Sequence, residues 1–247
     1  MKNLFKLILV SVLINLTGFD LYAQSVETEM AYRAYLTTNK SLWKELVKKS
    51  QDKFDANKSD KNRYELVLAQ HGLLNSTMTD QDEDLFDDYF KKTKNHIEKL
   101  IDNGYQVANS RALLSAIYGW EMGYSSWKAM FLGGKSNNNI EKATKADDSS
   151  PIVWQVYGSS KLFTPKTFGG SITKAIEAYE KSVALYESNP QLTKSNWRYL
   201  DALAWLGQAY TKNNQIDDAR RTYDRALQVE PGFGWVKYRL LPSIASK

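Results

Sequence analysis

The chain contains no cysteine and only two histidines among its 247 residues. The absence of cysteine excludes disulfides, thiolate metal sites, iron–sulfur clusters, cysteine nucleophiles and a lipoprotein anchor. Since the histidines, His71 and His96, stand in unrelated settings, no transition-metal site is predicted either. Five prolines and thirteen glycines are few chain breakers. With 43% hydrophobic and 25% charged residues, this composition favours a mostly helical globular protein.

The sequence also lacks a concentration of charge of one sign. Its formal net charge of +5 is ordinary for a soluble protein. A nucleic-acid-binding surface would require lysines and arginines clustered on one face, whereas here they alternate with acidic residues. No nucleic-acid partner is therefore predicted.

The amino terminus has the layout of a secretory signal peptide, with two lysines before an apolar stretch. That stretch, 7–19, is interrupted by Asn15 and ends shortly before the small residue Ala23. It is shorter than the roughly 20 residues that a membrane span needs. We predict a signal peptide at 1–23, cleaved before Gln24, with no stable membrane insertion afterwards. The Tyr-Ala-Gln ending resembles exported proteins of Bacteroidota-type bacteria, which implies a periplasmic or secreted protein.

The last quarter of the chain shows two apolar faces at the three- and four-residue spacing of helices. The first face is Leu203, Leu206, Gly207 and Tyr210, and the second is Ile216, Ala219, Tyr223, Ala226 and Leu227. Asn213 and Asn214 predict a tight reversal between them, and Pro231 follows the second helix. The pattern predicts an antiparallel helical hairpin in which small residues lie opposite large ones.

This hairpin resembles the tetratricopeptide repeat at the signature positions Leu206, Gly207, Tyr210, Ala219, Tyr223, Ala226 and Pro231. The one departure is Leu203, where the family often has tryptophan. A single repeat cannot bury its outer face, so earlier copies are expected. They are marked by a ladder of glycines at Gly72, Gly119, Gly158 and Gly207, with steps of 47, 39 and 49 residues. Since the family period is about 34 residues, these copies are degenerate units with insertions.

The resemblance implies an all-α domain at 24–247, a tetratricopeptide-like α-solenoid in which helical hairpins form a right-handed superhelix. Its predicted parts are capping helices at 26–54, degenerate units at about 61–102, 108–150 and 151–190, the best-matching unit at 197–231 and a closing helix at 233–241. The two longer units each contain a glycine pair, Gly133-Gly134 and Gly169-Gly170. We predict that both pairs form turns between helices.

Signs of catalytic or metal chemistry are weak. The acidic run 80–88 opens like an EF-hand loop but has Leu85 at the glycine position, so we predict instead a helix start capped by Thr79. The Gly133–Ser136 stretch ends like a phosphate loop but lacks its first glycine. His71 precedes a ladder glycine and is predicted to be a packed core residue. We predict no enzyme activity, no cofactor and no metal site.

The predicted binding surface follows from the resemblance, because the first helix of each tetratricopeptide unit lines the concave side. The matching positions are Trp120, Gln155, Ser159, Asp201, Ala204, Gln208 and Lys212. An aromatic anchor among hydrogen-bonding groups suits a peptide groove, so a scaffold with a protein or peptide partner is implied. Three further tryptophans are predicted to serve packing: Trp154, Trp197 and Trp205.

Two alternatives remain open, since a fold does not fix a function. The stretch from Tyr157 to Ala175 is also similar to exported bacterial repeat proteins, including the T components that accompany TRAP-type transporters. That likeness implies a soluble accessory protein that holds a small molecule in a cleft between helices. The other alternative is an enzyme whose site is built from carboxylates such as Asp201.

Overall fold

The computed structural model describes residues 26–245, in which helices and turns alternate without any strand. The predicted signal peptide and its cleavage site lie outside these residues. The main helices are α1 at 26–36, α2 (Lys40–Ala56), α3 (Asp60–Thr77), α4 (Glu83–Asp102), α5 (Val107–Tyr124), α6 (Ala129–Ala146), α7 (Pro151–Phe163), α8 (Ile172–Glu187), α9 (Trp197–Lys212) and α10 (Ile216–Val229). None of the helices between 26 and 245 is long and apolar enough to cross a membrane.

From α3 onward the helices pack as hairpins in two layers. Each odd-numbered helix packs against the even-numbered helix that follows it, as α5 does on α6 and α7 on α8. The odd-numbered helices α3, α5, α7 and α9 also contact one another in succession. Stacked hairpins with one continuous inner layer are the architecture of a helical solenoid. The predicted all-α, tetratricopeptide-like fold is confirmed.

Two ladder glycines lie where the helices of a hairpin approach closely. A Cβ atom placed on Gly207 would meet the Tyr223 ring at 2.2 Å, and one on Gly158 would meet the Tyr179 ring at 3.0 Å. Both tyrosine rings are buried, so they have little room to move. The tyrosine of the second helix therefore fills the space that the missing side chain leaves, as the small-opposite-large pattern predicts.

The other two ladder glycines differ from this arrangement. A Cβ atom on Gly72 would meet the ring of Trp43 at 2.2 Å, so α3 makes its close approach to the preceding helix α2. Gly119 is exposed, and nothing lies within 4 Å of the Cβ position. The glycine ladder therefore marks close packing at three of its four rungs, and Gly119 has no packing reason to be glycine.

The turn predicted at Gly133-Gly134 is wrong, because both glycines lie inside α6. The reversal falls earlier, in a short 3-10 turn at Ser126–Lys128. The Ser136 hydroxyl then holds α6 on α5 by donating to the carbonyl oxygen of Ser115 at 2.9 Å. This contact and the buried side chains beside it outweigh the cost of about 1 kcal/mol that each glycine adds to a helix interior.

The second glycine pair does form the predicted turn. Gly169 has a φ of 93°, in the left-handed region that favours glycine. A Cβ atom on Gly170 would lie 1.7 Å from the carbonyl oxygen of Thr164. The units at 108–150 and 151–190 therefore have the same sequence spacing but different local structures. The glycine pair lies inside helix α6 in the first unit and in the loop between α7 and α8 in the second.

The amino-terminal helices close against the carboxy-terminal unit. The ring of Tyr35 in α1 lies 5.2 Å from Trp197 and 5.7 Å from Phe233. Trp43 in α2 lies 5.6 Å from Trp197, and the Tyr32 hydroxyl donates to Glu230 at 3.0 Å. Apolar residues of α1, α2 and α3 thus share one core with those of α8, α9 and α10.

Two helix ends differ from the prediction. Thr79 does not cap α4, because α3 runs to Thr77 and the turn after it occupies 78–81. Asp82 is the cap instead, and its carboxylate accepts a hydrogen bond from the amide of Leu85 at 3.2 Å. Hydrogen bonds from Lys40 and from that amide lower the pKa of Asp82. The closing segment is helical over 234–243 and contains a π-helical turn at Val236–Leu240.

Candidate functional site

Three of the seven residues predicted to line the concave face lie inside the protein, namely Gln155, Asp201 and Ala204. The Gln155 amide donates to one oxygen of Asp201 at 2.7 Å. The other oxygen accepts from the Tyr35 hydroxyl at 2.9 Å and from the Trp205 indole at 3.2 Å. Because Tyr35 belongs to α1, the amino-terminal helix covers this part of the inner layer. Gln155 and Asp201 therefore join α1, α7 and α9 rather than presenting an open surface.

The carboxyl group of Asp201 is held by neutral donors. Burial raises its pKa to about 6, against the lowering effects of Tyr35, Arg198, Gln155 and Trp205. A buried carboxylate with both oxygens engaged offers no open position to a substrate. The geometry thus gives Asp201 a positioning role, in which its buried carboxylate fixes the ring of Trp205 by accepting the hydrogen bond of the indole N–H.

Trp120 packs in a second buried cluster, beside His71 and Arg198. The rings of Trp120 and His71 lie 4.5 Å apart, and Nη2 of Arg198 lies 3.1 Å from Nδ1 of His71. His71 is 3% exposed, so its predicted core position is confirmed. Burial, with a further effect of Arg198, lowers the pKa of His71 well below its usual value. The imidazole is therefore neutral and accepts the arginine hydrogen bond at Nδ1.

The remaining three predicted residues, Ser159, Gln208 and Lys212, lie closer to the surface. The hydroxyl of Ser159 is 2.8 Å from that of Tyr179, so it is also part of the packing between α7 and α8. Gln208 is half-buried and Lys212 is exposed. The ammonium of Lys212 lies 5.2 Å above the centre of the Phe163 ring, within the range of a cation–π contact.

An open row of aromatic rings adjoins these last residues. Phe163 and Trp205 lie 5.1 Å apart with an interplanar angle of 82°, and Trp205 and Trp235 lie 5.4 Å apart at 69°. Phe163 is 57% exposed, and the two tryptophans are half-buried. We call the surface formed by the following residues the C-terminal aromatic surface: Phe163, Trp205, Gln208, Lys212 and Trp235.

The sequence analysis missed two members of this surface, Phe163 and Trp235. A signal for Phe163 was present, because it follows Gly158 by five residues as Lys212 follows Gly207. No local pattern could have shown Trp235, which reaches the surface through the closing segment. Of the tryptophans predicted to serve packing, Trp197 is buried, whereas Trp205 is only half-buried.

A separate concavity lies where α4, α5 and α6 meet. Its volume is about 260 Å³. We call it the lysine-rimmed pocket, and it is lined by Phe90, Lys94, Tyr118, Glu121, Trp127, Lys128, Phe131, Leu132 and Lys135. The sequence analysis missed it, because Trp127 and Phe131 lie in and just after the reversal between α5 and α6, whereas the turn was expected later, at Gly133-Gly134.

Metal chemistry gains no support from the part of the chain that the structure describes. No group of three or more histidine, aspartate or glutamate side chains within 26–245 could hold a metal ion. In the acidic run 80–88, Lys40 donates to Asp80 at 2.6 Å and to Asp82 at 2.7 Å. These carboxylates stabilise the start of α4 and its contact with α2.

Comparison with known proteins places the repeat in a family. The sequence profile of the tetratricopeptide repeat matches residues 200–233. In the structure, six of the seven signature residues in that range are buried, and Pro231 follows the end of α10. The carboxy-terminal unit is a tetratricopeptide repeat. A comparison with curated protein sequences gives no match.

Solved structures support the fold of the whole described chain. The HusA haemophore from Porphyromonas gingivalis has a TM-score of 0.60 at 18% identity, with 77% of this chain and 94% of that chain covered. TTC0263, a thermophilic TPR protein in Thermus thermophilus, has a TM-score of 0.53 at 15% identity, with 94% and 96% covered. At such identities the likeness concerns the fold, which is a tetratricopeptide-like α-solenoid.

Proposed function

We propose that this chain is a non-catalytic scaffold that binds a protein or peptide on its C-terminal aromatic surface. The observation that carries the proposal is the row of rings from the exposed Phe163 through the half-buried Trp205 and Trp235. Aromatic side chains dominate the binding energy of protein interfaces, since they bury a large area at little entropic cost. These rings already pack edge to face, so a partner would find them ordered and would lose less free energy on binding.

The polar residues around the rings define the partner further. Lys212 is the exposed cation beside Phe163, and a partner that places a carboxylate there would gain an ion pair next to an apolar contact. Asp201 and Gln155 act from beneath by fixing the indole of Trp205. Trp120 and Ser159 support the helices that carry the surface. The partner we propose is a segment with an apolar side chain flanked by an acidic residue.

A crosslinking pull-down tests this function directly. Tagged mature chain, residues 24–247, is crosslinked in the envelope of its own organism, in parallel with the double variant Phe163→Ala/Lys212→Glu. Both changed residues are exposed, so the melting temperature should stay the same. Phe168→Ala is the matched control, because Phe168 is 81% exposed and lies outside the surface. A partner retained by the control and lost by the double variant supports the proposal.

A partner that the double variant retains contradicts the proposed surface. Recovery of the chain alone in every sample contradicts the protein-partner function itself. The first result would leave a scaffold with a different groove, whereas the second would favour the small-molecule function described below.

We further propose that the chain works after export, in the bacterial periplasm or outside the cell. The support is the sequence of residues 1–25, with its two lysines, interrupted apolar stretch and small residue before Gln24. Amino-terminal sequencing of the protein from a cell-envelope fraction should begin at Gln24. Protein that begins at Met1 would contradict both the cleavage and the export.

A second candidate function is that of a soluble protein that binds a small molecule, as a transporter accessory does. The observation that favours it is the lysine-rimmed pocket, together with a fold that resembles the HusA haemophore. A thermal-shift series with haemin and small aromatic acids tests it, because a bound ligand raises the melting temperature with its concentration. No shift with any of these compounds would contradict this function.

A further inference from the structure

The lysine-rimmed pocket has an apolar wall that is open to solvent. Trp127 is 62% exposed and Phe131 is 60% exposed, and their rings lie 6.0 Å apart at an angle of 81°. Phe90 and Tyr118 also line the pocket, with ring centres 6.4 Å apart. Large exposed aromatic side chains gathered at a concavity indicate a binding site, since their burial by a ligand is favourable. A flat apolar ligand can stack on the face of one of two perpendicular rings while it meets the edge of the other.

The charges around the pocket indicate an anionic ligand. Lys94 donates to Glu98 at 3.1 Å, and Lys128 is hydrogen-bonded to Glu121. Lys135 lines the same pocket, and its ammonium makes no ion pair within the described residues, 26–245. One positive charge at the rim is thus left unneutralised. A ligand with a single negative charge complements it.

Glu121, which also lines the pocket, has a buried carboxylate oxygen without a hydrogen-bond donor among residues 26–245. Glu121 is 7% exposed, and one of its carboxylate oxygens is engaged by Lys128. The other oxygen, Oε2, is buried and has no hydrogen-bond partner in the part of the chain that the structure describes. A buried acceptor without a hydrogen bond destabilises the protein, so a ligand that donates to this oxygen would bind more tightly for removing that penalty.

The size of the pocket limits the ring system. Its volume of about 260 Å³ lies just below the range of about 300 to 1,000 Å³ that is common for ligand sites. We propose that the lysine-rimmed pocket binds a planar aromatic carboxylate of about two fused rings that also carries an N–H or O–H donor. This inference rests on the small-molecule function above, and it names the site and the ligand class.

The test uses 6-hydroxy-2-naphthoate as the probe and the mature chain, residues 24–247, in calorimetric titrations. We expect Trp127→Ala/Phe131→Ala to weaken binding at least tenfold. Lys135→Gln should weaken it at least threefold. The neutral analogue 2-naphthol lacks the carboxylate, so it should bind wild type more weakly than the acid and should bind Lys135→Gln and wild type equally. Phe168→Ala and Lys142→Gln are matched controls outside the pocket and should bind like wild type.

The outcomes separate the pocket from the wider function. If the probe binds wild type and Trp127→Ala/Phe131→Ala equally, the pocket is not the site, although small-molecule binding stands. If the probe does not bind but haemin raises the melting temperature, the ligand class is wrong. Absence of both effects contradicts the inference and the small-molecule function together. All changed residues are exposed, so equal melting temperatures without ligand exclude misfolding as the cause of lost binding.

Discussion

The α9–α10 hairpin and the α5–α6 hairpin form the same close helix contact with different residues. In the first, Gly207 lets the Tyr223 ring lie against the backbone of α9. In the second, nothing lies within 4 Å of the Cβ position of Gly119, the glycine at the matching position, and the serine pair Ser115 and Ser136 makes the close contact instead. The comparison teaches that a signature glycine in the first helix indicates close packing only where the second helix also carries the large side chain that packs against it, as Tyr223 does.

The largest expected effect is that of Gly207→Trp. A side chain at this position must displace the buried ring of Tyr223, which a Cβ atom alone would approach to 2.2 Å. We expect a loss of about 3 kcal/mol in the free energy of unfolding, measured by urea denaturation. Gly119→Trp is the matched control and should change stability by less than about 0.5 kcal/mol, because that position is exposed. Equal losses in the two variants would show that the two hairpins do not differ in this way.

The same comparison explains how much the sequence could predict. The last unit was predictable because its signature residues, such as Gly207 and Tyr223, form the contact between its two helices. Gly119 and Gly133-Gly134 follow the same sequence spacing, but they do not form such a contact. The closure of α1 on α9 was not predictable. Tyr35 and Asp201 are 166 positions apart, and a local period in the sequence does not specify a contact at that distance. For that reason Gln155 and Asp201 were expected on an open face and lie buried instead.

The two hairpins also differ in how they hold a buried acid, and pH tests this difference. Glu121 in α5 faces the ammonium of Lys128, whereas Asp201 in α9 faces Tyr35 and other neutral donors. Because burial raises the pKa of Asp201 to about 6, its protonated form favours folding. Its contribution is fully present below pH 4 and is lost as the pH rises through about 6.

Subtraction of variants isolates that contribution. The unfolding free energy of Asp201→Asn minus that of wild type should rise between pH 4 and pH 6 and stay level above it. Because the pKa of Asp201 is about 6 in the folded protein, against an ordinary value of 3.8, the expected rise is of the order of 2 to 3 kcal/mol. Tyr35→Phe removes one hydrogen bond to the carboxylate, which raises the pKa of Asp201 further. In the Tyr35→Phe background, the difference between the Asp201→Asn and Asp201 proteins should therefore become level only at a higher pH. A difference between Asp201→Asn and wild type that does not change with pH would contradict the assignment.

A smaller effect is expected at the serine contact of the α5–α6 hairpin. Ser136→Ala leaves the buried Ser115 hydroxyl without its partner, so a loss of about 1 to 2 kcal/mol is expected in urea denaturation. The double variant Ser115→Ala/Ser136→Ala removes both hydroxyls and should lose less than the sum of the two single variants. Strictly additive losses would show that the two hydroxyls do not interact.

The smallest expected effect has the opposite sign, and it distinguishes the two ladder glycines most directly. Gly119 lies inside α5, and nothing lies within 4 Å of its Cβ position, so Gly119→Ala adds helix propensity without a clash. We expect a gain of about 0.5 to 1 kcal/mol in the free energy of unfolding. Gly207→Ala gains the same propensity but must push the Tyr223 ring away, so a net loss is expected. If both alanine variants are stabilised, Gly207 is not required by the contact with Tyr223, and the repeat signature in the last unit has no packing basis at this position.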